Sequence, residues 1–365
     1  MRSEPSLRIV IAGGGTGGHL YPGIAVAREI LARRPDAQIS FAGTSAGIES
    51  RVLPREGLAL DIIRSGGLKG KGHVARLRST ALLPVSAIDA WRVLSRRRPD
   101  LVIGVGGYSS GPLVLLAALR RIPTLVLEQN AVPGLTNRLL APFVDAAAVT
   151  YDSALPYFGR RGFVTGNPVR SEFLRFGREK DRGASSIRRV LVFGGSQGAH
   201  AINVAMVEAA PRLAAGASRC EIAHQTGEAD LEMVREAFRI AGLRARVEPF
   251  FYQMDREMSQ ADLIVCRAGA TTLAELTAAG RPAILIPLPT ATDDHQRKNA
   301  EVLRRAGAAE AIDQRHLTGE ILAGRILALA TDPQRLGEME QAARQLAKPD
   351  AAARIVDRAL ALADV

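Results

Sequence analysis

The sequence predicts an α/β protein built from two Rossmann-like domains, each a parallel sheet covered by helices. An apolar strand, a glycine-rich turn and a histidine occur in that order at residues 9–19 and again at residues 190–200. A strand that leads through a glycine turn into a helix begins a βαβ unit, and such units build parallel sheets. The length of 365 residues suits two domains of about 100–200 residues each.

Both halves of the chain alternate strands with helices. In the first half, strands are predicted at residues 7–12, 37–42, 60–64, 101–105, 124–128 and 146–150. In the second half, they are predicted at residues 189–193, 221–225, 245–248, 263–266 and 283–287. A helix is predicted from about Pro22 to Arg34, and helices fill the other gaps.

Composition shifts divide the chain into domains. The polar, arginine-rich stretch after Gly166-Asn167-Pro168, which continues to Arg189, is the predicted interdomain linker. We therefore expect an N-terminal domain over residues 1–167 and a C-terminal domain over residues 168–349. The alanine-rich tail at 350–365 follows a break at Lys348-Pro349 and predicts an amphipathic helix that joins the first domain.

The overall composition limits the classes of function. A formal net charge of +11 suits nucleic acid, an anionic membrane surface or phosphorylated substrates. Aromatic residues make up 4% of the chain and no RNA-binding or zinc-finger motif occurs, so nucleic acid is not expected as a partner. Two cysteines without metal-ligand spacing predict a reducing compartment and no metal site. Neither a secretory segment nor a membrane span is predicted.

Short motifs at the predicted strand ends carry the chemistry. Neither glycine turn matches the dinucleotide fingerprint, because the nearest acid after the second strand, Glu49, lies in the following segment. Neither is a P-loop, because no lysine followed by Ser or Thr closes the turn. Ligands of open α/β sheets bind at the carboxyl ends of the strands. Nearly all the motifs fall there: GGGTGGH at 13–19, GGYSSGP at 106–112, EQN at 128–130, GNPVR at 166–170, GGSQGA at 194–199, GATTLAE at 269–275 and DDHQRKNA at 293–300.

These motifs, in this order, resemble the MurG family of glycosyltransferases, and the resemblance covers essentially the whole chain. It implies transfer of N-acetylglucosamine from UDP-N-acetylglucosamine to the muramoyl sugar of lipid I in peptidoglycan synthesis. It implies the GT-B fold, two Rossmann-like domains facing across a cleft, with the donor bound by the second domain and the lipid-linked acceptor by the first. It also implies inversion at the anomeric carbon, no cofactor and no obligatory tightly bound metal.

The resemblance also implies a location and partners. The expected site of action is the cytoplasmic face of the bacterial inner membrane, where the enzyme binds peripherally to an anionic surface. The expected partners are UDP-N-acetylglucosamine, the lipid-linked muramoyl-peptide acceptor and a cell-wall synthesis complex.

The glycine turn at 194–199 is expected to hold the donor diphosphate. A helix N-terminus offers backbone N–H donors and a favourable dipole to phosphate, and Ser196 adds a hydroxyl. The alternative is a tight strand-to-helix turn in which Ser196 caps the helix. By resemblance, the backbone of Phe251 reads uracil and Arg170 lies in the donor site near the hinge. The alternative for Arg170 is a solvated linker charge.

A second donor segment follows the fourth strand of the C-terminal domain. It comprises Ala270, Thr271, Thr272, Leu273, Ala274 and Glu275. Glu275 resembles the family's ribose-binding carboxylate, which accepts hydrogen bonds from both ribose hydroxyls. Thr272 and Glu275 also have capping-box spacing, so the alternative is that Glu275 satisfies a backbone donor at the helix start.

Two polar residues lie where the family reads the hydroxyls of the transferred sugar. The common family form has two adjacent glutamines, whereas here His295 precedes Gln296. Gln296 alone can both donate and accept a hydrogen bond, which suits a hydroxyl. Asn299 is expected to support them, and the alternative for the whole run is a polar helix start.

The first domain is expected to bind the acceptor. Thr16, Gly17 and Gly18 are expected to lie beneath its diphosphate, and Asn130 is expected to be a binding residue. His19 follows these glycines, and an imidazole with the ordinary pKa of about 6.5 can accept a proton from the attacking hydroxyl.

Other roles for His19 and other candidates for the base stay open. His19 can cap a helix or bind phosphate, and His200 occupies the matching position in the second half, where no base is needed. The base can instead be Glu128 or an aspartate elsewhere.

Basic and apolar residues lie side by side between residues 67 and 98. Residues 67–78 are rich in Lys and Arg, apolar residues follow from Leu82 to Trp91, and Arg96-Arg97-Arg98 ends the stretch. A polybasic patch gains about 1 kcal/mol per charge near an anionic membrane. The alternative is a helix that buries its apolar face in the core and leaves its basic ends in solvent.

Other functions fit parts of the pattern. They are a UDP-sugar transferase with a different acceptor, a UDP-N-acetylglucosamine epimerase on a similar fold, and a membrane-recruited, non-catalytic nucleotide-sugar binding protein. The motifs GGGTGGH and GGYSSGP in the acceptor half argue against an epimerase, and candidate residues in both halves argue against a binding protein. A dehydrogenase is least favoured, because the cofactor fingerprint is incomplete.

Overall fold

The computed structural model describes residues 6–65, 82–176, 187–195, 198–216, 220–291 and 294–364. The chain forms two compact units: unit 1 comprises Met1–Arg170 with Lys348–Val365, and unit 2 comprises Ser171–Ala347. The first two residues of the predicted linker, Val169 and Arg170, belong to unit 1, and the next six, Ser171–Phe176, form a helix of unit 2. Residues 177–186 of the linker lie outside the described part.

Unit 1 is built on a parallel sheet with the strand order β3-β2-β1-β4-β5-β6-β7. The strands are β1 (Arg8–Gly13), β2 (Gln38–Gly43), β3 (Ala59–Ile62), β4 (Leu101–Gly106), β5 (Thr124–Glu128), β6 (Ala146–Val149) and β7 (Gly162–Val164). The helices are α1 (Gly17–Arg33), α2 (Glu49–Val52), α3 (Leu83–Arg97), α4 (Ser110–Leu119) and α5 (Leu135–Leu140). Every residue of β4, β5 and β6 is buried, because helices cover both faces of a parallel sheet.

Unit 2 repeats this plan with the strand order β10-β9-β8-β11-β12-β13. Its strands are β8 (Arg189–Phe193), β9 (Glu221–Gln225), β10 (Ala245–Glu248), β11 (Leu263–Cys266), β12 (Ala283–Leu285) and β13 (Ala309–Ala311). Its helices are α6 (Ser171–Phe176), α7 (His200–Gly216), α8 (Leu231–Ala241), α9 (Met254–Gln260), α10 (Ala270–Ala278), α11 (His295–Arg305), α12 (Gly319–Ala330) and α13 (Pro333–Leu346).

The C-terminal helix α14 (Ala351–Leu362) belongs to unit 1. Ile355, Val356 and Ala359 are buried in the same apolar cluster as strand β1 and helix α1. An ion pair between Arg33 and Asp357 fixes the exposed side of this contact. The last helix of the chain therefore completes the core of the first unit.

One sequence expectation about these elements was wrong, and two strands were not anticipated. Helix α1 begins at Gly17 rather than at about Pro22, because Thr16 is extended and acts as the N-cap. Gly17, Gly18 and His19 therefore form the first helical turn instead of a loop. The short edge strands β7 and β13 were not predicted, because three residues are too few to show a periodic pattern.

In each sheet the order in which the strands are added reverses at one switch point, and this point locates the ligand site. In unit 1 this switch lies between β1 and β4, and in unit 2 it lies between β8 and β11. The chain leaves these strands in opposite directions along the sheet, so their carboxyl ends border a crevice where ligands of open α/β sheets bind. The glycine motifs at 13–19, 106–112 and 194–199 follow three of these four strands.

Candidate active site

The glycine turns after β1 and β4 pack directly on each other. A Cβ atom on Gly13 would lie 2.3 Å from the carbonyl oxygen of Gly106, and one on Gly107 would lie 2.8 Å from that of Gly14. Both Gly106 and Gly107 have positive φ angles, which favour glycine. The two motifs are therefore one structural unit at the switch point of unit 1.

A buried carboxylate occupies part of this turn. Glu49 is fully buried. Its Oε2 accepts a hydrogen bond from the N–H of Gly15 at 2.7 Å, and its Oε1 accepts from the N–H and Oγ1 of Thr44 at 2.8 and 2.9 Å. A Cβ atom would lie within 3 Å of the Glu49 side chain at Gly14, Gly43 and Gly47. Sequence reasoning placed Glu49 outside the turn, although the glycines around it were a usable signal.

His19 lies in the first turn of α1, with its Nδ1 3.3 Å from Oε1 of Gln129. The amide orientation of Gln129 is fixed, because its Nε2 donates to the carbonyl oxygen of Val105 at 3.0 Å. Oε1 is therefore an acceptor, so Nδ1 of His19 carries the proton and Nε2 carries the lone pair. A general base needs a lone pair of this kind.

The two histidines of the repeated motif have different surroundings. A Cβ atom on Gly106 would lie 2.8 Å from Nδ1 of His19, so the lack of a side chain at Gly106 leaves room for the imidazole. His200 instead is largely exposed and its Nδ1 lies 3.0 Å from the carboxylate of Asp230. The repeat in sequence therefore does not carry over to the side-chain environment.

Glu128, the alternative base, is buried and holds four hydrogen bonds. Its Oε1 accepts from the N–H and Nδ2 of Asn130 at 3.0 and 3.2 Å. Its Oε2 accepts from the N–H of Gly134 at 3.0 Å and from Nδ2 of Asn137 at 2.9 Å. This geometry favours a role in holding the loop after β5, including Asn130, over a role in proton transfer.

In unit 2, the described part of the glycine turn packs on the end of β9. Ser196 lies outside the described residues. Gly198 has a positive φ angle, and a Cβ atom there would lie 1.8 Å from the carbonyl oxygen of Thr226. The N–H of Phe251 donates to Oε1 of Gln225 at 2.8 Å. Of the two backbone groups of Phe251, the carbonyl is therefore the one that can bind a nucleobase.

The segment after β11 corrects one sequence alternative. Gly269 is the N-cap of α10, so Thr272 lies inside the first turn and cannot be the capping residue. The capping-box explanation for Glu275 is therefore wrong. Glu275 is buried in the middle of α10, within the segment 270–275 that follows the switch strand β11.

Arg267 is a charged residue at this switch point that sequence reasoning missed. It directly follows β11, and its guanidinium donates to the carbonyl oxygen of Ile286 at 3.0 Å. Burial lowers the pKa of this guanidinium from its ordinary value. Its position in Cys266-Arg267-Ala268-Gly269, immediately after an apolar strand, was the signal available in the sequence.

The start of α11 holds the two residues expected to read the sugar. His295 is the first residue of α11, so this run is a helix start. Gln296 accepts a hydrogen bond from the N–H of Leu288 through its Oε1 at 3.0 Å. Its Nε2 can donate to a sugar hydroxyl and its Oε1 has a second lone pair, so the expectation that Gln296 both donates and accepts there stays a prediction. Asn299 is buried, and its Nδ2 lies 3.5 Å from the carbonyl oxygen of Ala268.

Arg170 lies in unit 1, with its guanidinium carbon 4.3 Å from the centroid of the Tyr21 ring on α1. A cation over an aromatic face is a favourable contact. This contact argues against a fully solvated charge, and the donor-site role of Arg170 stays a prediction.

A buried histidine supports the start of α7. Nε2 of His224 lies 2.9 Å from Oδ1 of Asn203, whose Nδ2 donates to Thr226 O and to Asp230. Asn203 is thus oriented as an acceptor toward His224, so Nε2 carries the proton. Burial lowers the pKa of His224 to about 3, and the nearby Asp230 carboxylate opposes this only in part.

This histidine predicts a loss of stability in acid. The unfolded chain binds a proton near pH 6.5, whereas folded His224 does not, so the stabilisation is complete above that pH and is lost as the pH falls toward 3. We expect His224 to account for a decrease of about 2 kcal/mol in unfolding free energy between pH 7 and pH 5. Urea unfolding at both pH values measures this. His224→Gln, which keeps a donor for Asn203, should show a smaller decrease; equal decreases would contradict the assignment.

Two parallel-sheet units, with glycine turns and polar residues at both switch points, have the architecture of the GT-B class of glycosyltransferases. Residues 9–149 match the glycosyltransferase family 28 N-terminal domain and residues 189–355 match the C-terminal domain of that family. The chain belongs to the MurG family.

Similarity to MurG proteins extends over nearly the whole chain. It is 47% identical to the UDP-N-acetylglucosamine--N-acetylmuramyl-(pentapeptide) pyrophosphoryl-undecaprenol N-acetylglucosamine transferase of Pelobacter propionicus, over 97% of this chain and 99% of that protein. It is also 47% identical to the protein of the same name from Geobacter sulfurreducens, over 97% and 98% of the two chains. The crystal structure of Acinetobacter baumannii MurG matches with a TM-score of 0.76 and 31% identity, over 98% of this chain and 100% of that one.

Proposed function

We propose that this protein transfers N-acetylglucosamine from UDP-N-acetylglucosamine to the 4-hydroxyl of the muramoyl sugar of lipid I. The product is lipid II, the lipid-linked disaccharide used for peptidoglycan synthesis. The observation that carries this function is the 47% identity, over almost the full length of both chains, to transferases of that name. The glycine turns, His19 and the segment 270–275 are all present at the switch points.

The proposed mechanism is a direct displacement with inversion. Nε2 of His19 takes the proton of the attacking hydroxyl while its oxygen bonds to the anomeric carbon. The bond from that carbon to UDP breaks, and its electron pair leaves with the diphosphate. The backbone N–H groups of the turn after β8 and the N-terminus of α7 stabilise this charge. Most of the catalysis then comes from positioning and electrostatics.

The donor is assigned to unit 2 by residues that contact its separate parts. Glu275 accepts hydrogen bonds from the ribose hydroxyls, and the carbonyl group of Phe251 accepts one from the N–H of uracil. Nε2 of Gln296 donates to a hydroxyl of the transferred sugar, with His295 beside it. The other residues of the segment 270–275 contribute the helix start on which the ribose lies.

The acceptor is assigned to unit 1. Its diphosphate lies at Thr16, Gly17 and Gly18, where the N-terminus of α1 provides a favourable dipole. Glu49 already accepts the N–H of Gly15, so that group is not available to the diphosphate. Asn130 is held in the loop after β5 by Glu128 and contacts the acceptor sugar or peptide.

The transfer is tested with purified protein, UDP-N-acetylglucosamine and a soluble short-chain analogue of lipid I. UDP release and the disaccharide product are followed by mass spectrometry, with controls that lack the acceptor or the enzyme. Product that requires both substrates supports the proposal. Donor binding without product would favour a different acceptor or a non-catalytic role.

We also propose that unit 1 docks on the anionic cytoplasmic surface of the inner membrane. Ile88 and Trp91 on α3 are about half exposed, and the guanidinium of Arg120 lies 4.7 Å from the centroid of the Trp91 ring. Arg92 and Arg96 are mostly exposed on the same helix. Helices α4 and α5 and the turn after α5 expose further large apolar residues: Leu119, Leu135, Leu139 and Phe143.

Helix α3 also packs on the core of unit 1. Ala90, Val93 and Leu94 are buried in the core, so α3 also serves the packing role weighed from the sequence. Residues 67–78 lie outside the described part. Within the described part, no helix combines the length and apolar character needed to cross a bilayer. Association with a cell-wall synthesis complex stays a prediction from the resemblance.

The membrane proposal predicts lipid-dependent binding. The protein should sediment with vesicles that contain phosphatidylglycerol, and a double variant Ile88→Ser, Trp91→Ser should bind at least about tenfold more weakly, because each apolar side chain contributes about 1.5–3 kcal/mol on burial. Ile240→Ser changes an exposed apolar residue of unit 2 and should bind like the wild type. Equal binding by the double variant would contradict the assignment of this face.

A further inference from the structure

Gln225 has a buried side-chain amide, and both its nitrogen and its oxygen make hydrogen bonds. It is the last residue of β9, and its side chain is almost fully buried. Its Nε2 donates to the carbonyl oxygen of Gly195 at 2.8 Å, and its Oε1 accepts from the N–H of Phe251 at 2.8 Å. Each bond satisfies a backbone group outside the strand ladder. Neither interaction was anticipated from the sequence.

The two partners of Gln225 belong to separate segments of unit 2. Gly195 lies in the glycine turn after β8, whereas Phe251 lies in the segment after β10. Strand β9 lies between β8 and β10 in the sheet, so Gln225 stands at the middle of three neighbouring strand ends. One side chain therefore fixes the turn on one side and the segment on the other.

Backbone hydrogen bonds tie the end of β9 mainly to the β10 side. The N–H groups of Thr226 and Gly227 donate to the carbonyl oxygens of Glu248 and Pro249, both at 3.1 Å. Toward the glycine turn, the link is the Gln225 amide together with the packing of Gly198 on Thr226. Loss of this amide should loosen the position of Gly195 relative to Phe251.

We propose that Gln225 is a positioning residue that couples recognition of the diphosphate to recognition of the base of a uridine nucleotide. This inference rests on the proposed donor site, in which the glycine turn holds the diphosphate and Phe251 reads uracil. The carbonyl of Phe251 accepts from N3–H of uracil, whereas N3 of cytosine is an acceptor and is rejected. That selectivity requires the Phe251 backbone to stay where Gln225 holds it.

Two substitutions separate the two bonds. Gln225→Met keeps the length of the side chain and removes both hydrogen bonds. Gln225→Glu keeps an acceptor for the N–H of Phe251 but cannot donate to Gly195 and adds a negative charge beside the turn. The first variant should disturb both base and diphosphate recognition, and the second should disturb the diphosphate alone.

The experiment measures binding of UDP and CDP by calorimetry and the kinetics of transfer. We expect Gln225→Met to bind UDP about tenfold more weakly, with a smaller preference for UDP over CDP, because two buried backbone groups lose their partner. Gln225→Glu should also bind UDP more weakly but keep the preference for UDP. In both variants the KM for the donor should rise and the KM for the acceptor should stay unchanged.

Controls distinguish this inference from general damage and from failure of the proposed function. Thr124→Val removes a buried hydroxyl that makes two hydrogen bonds with Asp145 in unit 1, and it should leave UDP binding unchanged. An unchanged UDP/CDP preference in Gln225→Met, or a lost preference in Gln225→Glu, would overturn the coupling. Failure of the wild type to bind UDP would instead overturn the proposed donor site itself.

Discussion

Replacing His19 by Ala is expected to lower kcat by about 10²–10⁴-fold, the usual contribution of a general base. The donor KM should change little, because His19 lies in unit 1 and acts on the acceptor hydroxyl. The expected loss of kcat follows from the hydrogen bond that Nδ1 of His19 donates to Gln129, because this bond leaves the lone pair on Nε2. Steady-state kinetics with a lipid I analogue, varying each substrate in turn, measures both constants.

His200→Ala is the matched control for this experiment. It removes the histidine at the same place in the repeated motif, but His200 is exposed and paired with Asp230. We expect its kcat to stay within about threefold of the wild type, as for a surface residue outside the chemistry. A His19→Ala variant with wild-type kcat would remove His19 as the base and return attention to Glu128 and the aspartates.

The second large effect is expected at Glu275. Glu275→Ala should raise the KM for UDP-N-acetylglucosamine by about 10²-fold or more, because two hydrogen bonds to an ionised group are lost. Binding of UDP should weaken by a similar factor, while the KM for the acceptor stays unchanged. Calorimetry with UDP and steady-state kinetics check these values.

A nucleotide without the 2′-hydroxyl tests whether Glu275 contacts the ribose. Wild-type protein should bind UDP more tightly than 2′-deoxy-UDP, and Glu275→Ala should bind the two nearly equally. Glu301→Ala removes a carboxylate of α11 that pairs with Arg304 and Arg305, and it should preserve the preference for UDP. If Glu275→Ala weakened UDP and 2′-deoxy-UDP to the same extent, the ribose assignment would be wrong.

The fold was predictable where turn residues bound a short segment on both sides, whether the segment is almost wholly apolar, as in β8 and β11, or mixed, as in β9 and β10. Strands β5, β8, β9, β10 and β11 have the bounds that the sequence predicts. The edge strands β7 and β13 gave no such signal, because their three residues lie against a single neighbour and need no long apolar run. The start of α1 was missed because glycines usually disfavour helix, whereas here Gly17 and Gly18 form its first turn.

The candidate site was predictable in its location but not in its internal contacts. Motifs at strand ends indicated the switch points, since the order of the strands determines where ligands bind. The capping-box spacing at Thr272 and Glu275 could not reveal that the helix begins after Gly269. The roles of Gln129 and Gln225 depend on partners that are distant in sequence, and single-sequence patterns carry no information about those partners.

The buried carboxylate of Glu49 changes what the repeated glycine motif means. A free nucleotide that approached the Gly15 N–H would have to displace an anion that belongs to the chain and already holds three hydrogen bonds. It would also bring its own negative charge close to that anion in a site with little water to screen it. Counting glycine turns therefore overestimates the number of nucleotide sites, because an internal ligand already occupies this turn of unit 1.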